Sequence, residues 1–167
     1  AYLGPDFTTA EITAIAACWD GEPKTMLVRL LGRDDPRDML RAFVALYNEA
    51  DVVTGHYILM HDLPVINGAL MEYGLPPLGP KTVSDTKVHL VSRRHLSASQ
   101  ENLSEMLGIP AAKVHMSNAK WREANRLTDK GLALTYKRVV GDVLQHMALR
   151  AKLVARGLLS APKVWRP

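Results

Sequence analysis

Short β-branched runs and stripes of apolar residues at helical spacing predict an α/β protein. Residues from Glu11 to Trp19 and from Thr25 to Leu31 form two apolar runs, and the turn signal Asp20-Gly21 lies between them. Runs of this length that are rich in β-branched residues and joined by a short turn are typical of an antiparallel hairpin. The fold is therefore expected to begin with two paired strands.

A helix, a strand and a second helix are predicted next. Asp35 before Pro36 indicates a helix start, because Asp is a favoured cap and proline fits the first turn. The run from Val52 predicts a strand that enters a loop, and a further helix is expected from Asp62 to Gly74. The apolar face of the first helix is predicted to consist of Met39, Leu40, Phe43, Val44 and Tyr47.

The second half of the chain is predicted to end in a long helix. The segment from Thr82 is expected to be extended at first and helical from near Lys87, and Ser97 or Ser99 is expected to cap the next helix. Residues 110–129 are predicted to be irregular, polar and basic. The closing helix is expected over residues 130–156, with its apolar positions at Val139, Val140, Val143, Met147, Ala151 and Val154.

Composition agrees with a single globular domain over residues 1–167. Hydrophobic residues make up 47% of the chain and charged residues 23%, which is ordinary for a folded domain. The single cysteine, Cys18, excludes an intrachain disulfide. No apolar stretch reaches membrane-spanning length and no signal-peptide pattern opens the chain, so a cytoplasmic protein without a membrane partner is expected.

Charge is distributed unevenly between the two halves. Residues 1–80 carry 5 Lys and Arg against 11 Asp and Glu, whereas residues 81–167 carry 16 against 6. A basic region beside an acidic one suits a phosphate-bearing polymer held by the first and metal ions held by the second. Solvated helix faces also collect Lys and Arg, so the pattern permits this interpretation without requiring it.

Asp62 is the first candidate for chemistry. It follows the strand that starts at Val52, and open α/β sheets keep their sites where strands end and helices begin. The alternative is a helix cap, because Leu63 and Pro64 suit the start of a helix. The segment by itself supports the two interpretations about equally.

Asp62 belongs to a longer motif, in which Gly55-His56-Tyr57 is followed four residues later by His61-Asp62-Leu63-Pro64. This motif resembles the second motif of the DEDD exonuclease superfamily, where Asn is usual at Tyr57 and Phe at His61. The resemblance covers about Glu11 to Leu159 and is closest to the DnaQ-like and YprB-like branches. It continues through Val83-Ser84-Asp85-Thr86, the Leu103 to Gly108 stretch, Trp121 and Gly141-Asp142-Val143.

The resemblance implies an RNase H-like mixed sheet flanked by helices and a 3′–5′ exonuclease that uses two metal ions. Asp62 and Asp142, the latter in the third motif on the long helix, would be catalytic metal ligands facing a common cleft. Two Mg²⁺ or Mn²⁺ ions about 4 Å apart would clamp the attacking water and the leaving oxygen. Without this context Asp142 would be taken for an exposed helix residue. Asp85 is expected to be structural and to bond nearby backbone amides.

Two parts of the superfamily pattern are missing. The first motif, Asp-x-Glu on a central strand, is absent, and the nearest acids, Asp6 and Glu11, lack that spacing. The general base of the third motif, a Tyr four residues or a His five residues before the Asp, is replaced by Arg138 and Lys137. The first central strand is therefore expected to be missing or borrowed, either from residues upstream of Ala1 or from another chain such as a polymerase. The 167-residue chain is expected to be inactive or weak.

Single-stranded DNA or RNA is the implied partner, in DNA replication or repair in a bacterial or phage-infected cell. His146, one helical turn beyond Asp142, could reach the same surface as Asp142, but a role facing solvent or capping a helix is favoured. The alternative function is a catalytically inactive module on the same fold that binds nucleic acid or a replication partner. The residues expected to contact nucleic acid are His56, Tyr57, His61, Arg93, Arg94, Lys120, Lys137 and Arg138, with Lys113, Arg122 and Arg126 on the same surface.

Overall fold

Two separate β-sheets organise the structure, a computed structural model that describes residues 11–91, 93–110 and 114–167. The first sheet is an antiparallel hairpin of β1 (Ala14–Ala17) and β2 (Leu27–Leu30), as predicted. The second sheet has the order β3-β4-β5, in which β3 and β4 are parallel and β5 is antiparallel to β4. Its strands are β3 (Val52–Gly55), β4 (Lys81–Asp85) and β5 (Lys163–Trp165).

Five α-helices pack around the sheets in the described part of the chain. The longest of them, α5, packs against both strands of the hairpin and against α3 and α4. None of the helices in the described ranges is both long and apolar enough to span a bilayer. The helices are α1 (Pro36–Glu49), α2 (Asp62–Glu72), α3 (Gln100–Met106), α4 (Asn118–Asn125) and α5 (Asp129–Ala155).

Helix α1 begins where the sequence predicts. The Asp35 carboxylate accepts hydrogen bonds from the backbone amides of Arg37 (2.9 Å) and Asp38 (3.3 Å), which satisfies two amides that the first helical turn leaves open. The predicted apolar face turns inward and meets α2 and β4 in the first hydrophobic cluster. The fully buried members of this cluster include Leu40, Tyr47, Leu63, Leu70 and Val83.

Helix α5 matches its predicted bounds to within one residue, but the predicted buried face is wrong. Val154 is 53% exposed, and the buried side of the helix includes Gln145 and His146. Both polar side chains are hydrogen-bonded, Gln145 to Gln100 and His146 to Thr54, so their burial leaves neither without a partner. The second cluster on this side of the helix contains Leu90, Leu103, Ile109, Leu149 and Leu153.

The segment between β4 and α3 does not form the helix predicted from Lys87. Residues 86–89 form a turn, and the backbone from His89 to Val91 then pairs with the chain after α5 through the bonds Val91 N–Leu158 O (2.8 Å) and Ser160 N–His89 O (2.9 Å). These bonds between distant parts of the same chain use the backbone N–H and C=O groups that a helix would need for its own hydrogen bonds. Tertiary pairing therefore overrides the local pattern at this position.

Two further details of the second half follow from serine caps. Of the two serines considered as the cap of α3, Ser99 is the one used, because its hydroxyl accepts a bond from Asn102 N (3.2 Å). Helix α4 lies in the segment predicted to be irregular, and Ser117 caps it by accepting from Lys120 N (3.3 Å). Ala124 is its one buried residue, so α4 lacks the apolar stripe that a sequence pattern detects.

Candidate functional site

The candidate site lies where the parallel strands β3 and β4 end. Gly55 at the end of β3 is paired in register with Asp85 at the end of β4. A loop of residues 56–61 leaves β3, and α2 begins with Asp62. Loops after the carboxyl ends of parallel strands form the crevices in which α/β proteins bind ligands.

Asp85 fixes the shape of this loop. Its side chain is fully buried. One carboxylate oxygen, Oδ1, accepts from the amides of Tyr57 (3.0 Å), Lys87 (2.8 Å) and Val88 (3.0 Å), and Oδ2 accepts from the amide of Leu59 (3.1 Å). The predicted structural role of Asp85 is confirmed, and its reach is longer than expected because it holds the β3 loop as well as its own turn.

Tyr57 is held in a strained backbone conformation on this loop. Its φ is 66°, a region that residues other than glycine rarely adopt, and the bond from its amide to Asp85 keeps it there. The ring is 39% exposed, and the Lys87 ammonium lies 4.0 Å from the ring centroid. An accessible aromatic ring beside a cation is suited to stacking against a nucleobase.

Asp62 is the first residue of α2 and not its cap. The N-cap is His61, which makes no side-chain capping bond, and His61 Nδ1 lies 3.7 Å from Asp62 Oδ2. Burial and the nearby Asp85 carboxylate raise the pKa of Asp62, while His61 opposes the shift. The Asp62 side chain is nevertheless 55% exposed to solvent. Solvent therefore limits the desolvation of the carboxylate, and a hydrated ion can reach it.

Asp142 forms an ion pair within α5 and accepts a hydrogen bond from α3. Its Oδ2 lies 3.2 Å from Nε of Arg138, one helical turn earlier, and Arg138 also donates to Val114 O (2.8 Å). Gln100 donates to the backbone carbonyl of Asp142 (3.0 Å). The cation at the position of the expected base thus pairs with the carboxylate expected to bind metal. An ion at Asp142 would compete with this guanidinium.

The described residues do not complete a metal centre. Asp62 lies within electrostatic reach of Asp85, but the amides bonded to Asp85 occupy both of its oxygens. Nowhere in the described ranges are three or more His, Cys, Asp or Glu side chains placed to hold a metal ion. Carboxylate oxygens are the donors that Mg²⁺ and Mn²⁺ prefer, yet Asp62 and Asp142 alone are too few for two ions. Asp6, one of the nearest upstream acids, lies outside the described residues.

A buried polar cluster beneath the site is a feature that the sequence did not reveal. His146 Nε2 lies 3.1 Å from the Thr54 hydroxyl and its Nδ1 lies 3.5 Å from the Thr86 hydroxyl, which is 2.8 Å from Nδ1 of His56. The expectation that His146 faces solvent or caps a helix is therefore wrong. Its partners are 92 and 60 residues away in sequence. The cluster ties α5 to both parallel strands.

His146 makes the stability of the protein depend on pH. Burial, with smaller contributions from His56 and Arg150, lowers the pKa of His146 from 6.5 to about 4. Between these values the unfolded chain binds a proton that the folded chain does not, so stability is expected to fall as the pH drops below 6.5. The loss approaches about 3 kcal/mol near pH 4, where the folded protein also takes up the proton.

Urea unfolding across this pH range measures the effect. A His146→Gln variant should lose this part of the pH dependence, whereas His115→Gln, at an exposed position, should keep it. An unchanged pH slope in His146→Gln would contradict the assignment.

The predicted nucleic-acid contacts are spread over several elements. Arg93, Arg94, Lys120 and Lys137 are exposed, whereas Arg138 is largely covered by its two partners. His61 is exposed beside Asp62, and His56 is half-buried against Thr86. Lys113 lies outside the described residues. The exposed cations therefore come from the segment before α3, from α4 and from α5 itself.

Comparison with known proteins supports the fold. No protein-family profile matches the chain, and no curated protein does. A solved structure is similar: the family B DNA polymerase from the hyperthermophilic archaeon Pyrobaculum calidifontis, with a TM-score of 0.60 and 20% sequence identity. The similarity covers 77% of this chain and 20% of the polymerase chain. The predicted fold class is confirmed as mixed α/β, compatible with the RNase H-like type.

Proposed function

We propose that this chain is an exonuclease-like domain that shortens single-stranded nucleic acid from the 3′ end when its site is complete, in DNA replication or repair. The observation that carries the proposal is the placement of Asp62. It follows the strand β3 at the carboxyl edge of the parallel pair, within reach of Asp85. The motif around it resembles the second exonuclease motif, and the fold is similar to one fifth of a DNA polymerase chain.

The separation of the strands into two small sheets supports the proposal that a further strand pairs with them. In the described part of the chain, β1 pairs only with β2, and β3 pairs only with β4. Helix α5 packs on β1 and also reaches β3 through the bond between His146 and Thr54. The outer edges of β1 and β3 therefore belong to strands that both contact α5. Open strand edges favour pairing with a further strand, which another chain such as a polymerase would supply.

The added strand would also bring the missing acids. Two Mg²⁺ or Mn²⁺ ions, when bound, would polarise the phosphodiester and activate water. Asp62 and Asp142 do not supply enough ligands for two ions, and Arg138 pairs with Asp142. No catalytic step is therefore assigned to the 167-residue chain itself. Its own contributions would be the carboxylates of Asp62 and Asp142 and the surface that holds the nucleic acid.

The second candidate function is a catalytically inactive module that binds nucleic acid or a replication partner. The ion pair between Arg138 and Asp142 favours it, because a guanidinium occupies the position of the base and neutralises a metal ligand. The exonuclease and the nucleic-acid-binding form of the inactive module both require a surface that binds single-stranded nucleic acid, whereas a module that binds only a replication partner does not. Binding is therefore the first property to test.

Affinity for a single-stranded oligonucleotide is expected to fall steeply between about 50 and about 300 mM salt, because each neutralised phosphate releases counterions. Tyr57→Ala should weaken binding by about 1–3 kcal/mol if a base stacks on the ring. The double variant Arg93→Gln, Arg94→Gln should lower the salt slope by roughly 0.7 for each phosphate that these side chains neutralise in the parent. Fluorescence anisotropy of a labelled strand measures both effects.

The matched control is Arg41→Gln. Arg41 is an exposed cation on α1 that pairs with Asp38 on the same helix. Its replacement should leave both affinity and salt slope unchanged. Affinity that is absent at low salt, or that does not respond to salt, would contradict the proposed function.

A further inference from the structure

A cleft between the hairpin and the first turns of α5 lies apart from the candidate site. It has a volume of about 280 Å³ and opens to solvent. Tyr136 and Lys137 precede Asp142 by six and five residues on α5, which turns them about 120° and about 140° away from it around the helix. The residues that line the cleft are Leu30, Arg33, Leu132, Ala133, Tyr136 and Lys137.

We propose that this cleft binds one nucleotide unit of a single strand, with the base against Tyr136 and the phosphate between Arg33 and Lys137. The class of ligand rests on the proposed function, whereas the site is separate from Asp62 and Asp142. The Tyr136 ring is 43% exposed, and Leu30, Leu132 and Ala133 supply an apolar lining beside it. An apolar wall, an aromatic ring and a cationic rim are the parts that single-strand binding sites combine.

The wall of the cleft formed by the hairpin is rigid. Asp34 Oδ2 accepts from Leu30 N (2.8 Å), and the Leu30 carbonyl accepts from the amides of Arg33 (3.1 Å) and Asp34 (2.8 Å). Gly32 has a φ of 90°, and Leu127 Cβ lies 3.1 Å from where a side chain on Gly32 would begin. The linker between α4 and α5 thus packs directly on this turn. Arg33 is presented from a fixed backbone, which reduces the entropy lost on binding.

Arg33 keeps part of its guanidinium available. Nε donates to Asp34 Oδ2 (3.2 Å) and Nη2 donates to Val28 O (3.0 Å), while Nη1 has no partner within the described residues. The Nη1 group carries two N–H donors, which suit a phosphate oxygen. These bonds also fix the direction in which Nη1 points.

The charges around the cleft favour an anion. Burial alone would raise the pKa of Asp34, but the Leu30 amide and the Arg33 and Arg29 guanidiniums hold it below its usual value. Lys137 is exposed and forms no ion pair in the parts of the chain that the structure describes. The lining of the cleft therefore includes two cations, Arg33 and Lys137, and no carboxylate. This balance complements a phosphate and disfavours a cationic partner.

Binding of a labelled oligothymidylate to the full chain tests the proposal. Tyr136→Ala should weaken binding by roughly 5- to 150-fold, and Tyr136→Phe should retain it because the ring face is kept. Lys137→Gln should lower the salt slope by roughly 0.7, whereas Lys24→Gln, at an exposed position beyond the other end of β2, should not. Thermal unfolding of each variant shows whether the fold is intact.

Photocrosslinking gives a second and independent readout. An oligonucleotide that carries 5-bromodeoxyuridine should crosslink to the peptide containing Tyr136, and a folded Tyr136→Ala variant should lose that crosslink. Unchanged affinity in Tyr136→Ala together with weakened binding in Tyr57→Ala would overturn the cleft proposal and leave the proposed function standing. A wild-type chain that binds no oligonucleotide would overturn both.

Discussion

Replacing Asp85 with alanine is expected to lower the free energy of unfolding by about 4 kcal/mol or more, because four partly buried amides lose a buried charged acceptor at once. The amides belong to Tyr57, Leu59, Lys87 and Val88. Two of them lie on the loop after β3 and two on the turn after β4. Loss of this one carboxylate would therefore free the loop after β3 and the turn after β4 at the same time.

Asp85→Asn should give an intermediate loss of about 2 kcal/mol, since one amide oxygen can still accept while the new NH₂ group faces a donor. Urea unfolding at neutral pH measures both variants. The matched control is Asp51→Asn, an exposed acid immediately before β3, which should change stability by less than about 0.5 kcal/mol. An Asp85→Ala variant within that margin of the parent would contradict the role assigned to this carboxylate.

The elements predicted correctly are those whose signals are local. Two β-branched runs predict the hairpin, and Asp35 before Pro36 predicts the start of α1. The capping bonds of the Asp35 carboxylate reach only two and three residues along the chain. Asp62 at the start of α2 could also be placed, because the strand before it and the helix after it have their own patterns. Such elements need no knowledge of the rest of the fold.

The elements predicted incorrectly depend on distant partners. The helix expected from Lys87 gives way to pairing between Val91 and Leu158, which no local pattern encodes. His146 is buried because it contacts Thr54 on β3 and Thr86 in the turn just after β4. The sequence therefore indicates that His146 lies one turn from Asp142, but not that it faces inward.

The ion pair at the candidate site is an intermediate case. Arg138 and Asp142 are four residues apart on one helix, a spacing at which opposite charges meet. Spacing alone does not show that Arg138 is also held by the Val114 carbonyl and largely covered. The bond to Val114 holds the Arg138 guanidinium beside Asp142. A metal ion at Asp142 would therefore have to compete with a cation that is fixed in place.

Hydrolysis by the 167-residue chain is expected to be very weak even with Mg²⁺ or Mn²⁺. Asp62 and Asp142 are too few to hold two ions, and neither cation that replaces the general base can accept a proton as required. The Arg138 guanidinium and the Lys137 ammonium carry N–H donors and no acceptor. Loss of a general base alone costs roughly 10²–10⁴-fold in rate, and loss of the metal clamp adds to it.

The most direct measurement is the shortening of a 5′-labelled single strand by the domain as the product of its full reading frame, together with any chain that co-purifies with it. The account predicts metal-dependent loss of nucleotides from the 3′ end, which Asp62→Ala and Asp142→Ala each abolish, while Asp51→Ala retains it. Shortening that persists in both Asp62→Ala and Asp142→Ala, or a complete absence of shortening by that full product with its bound chain, would contradict the account.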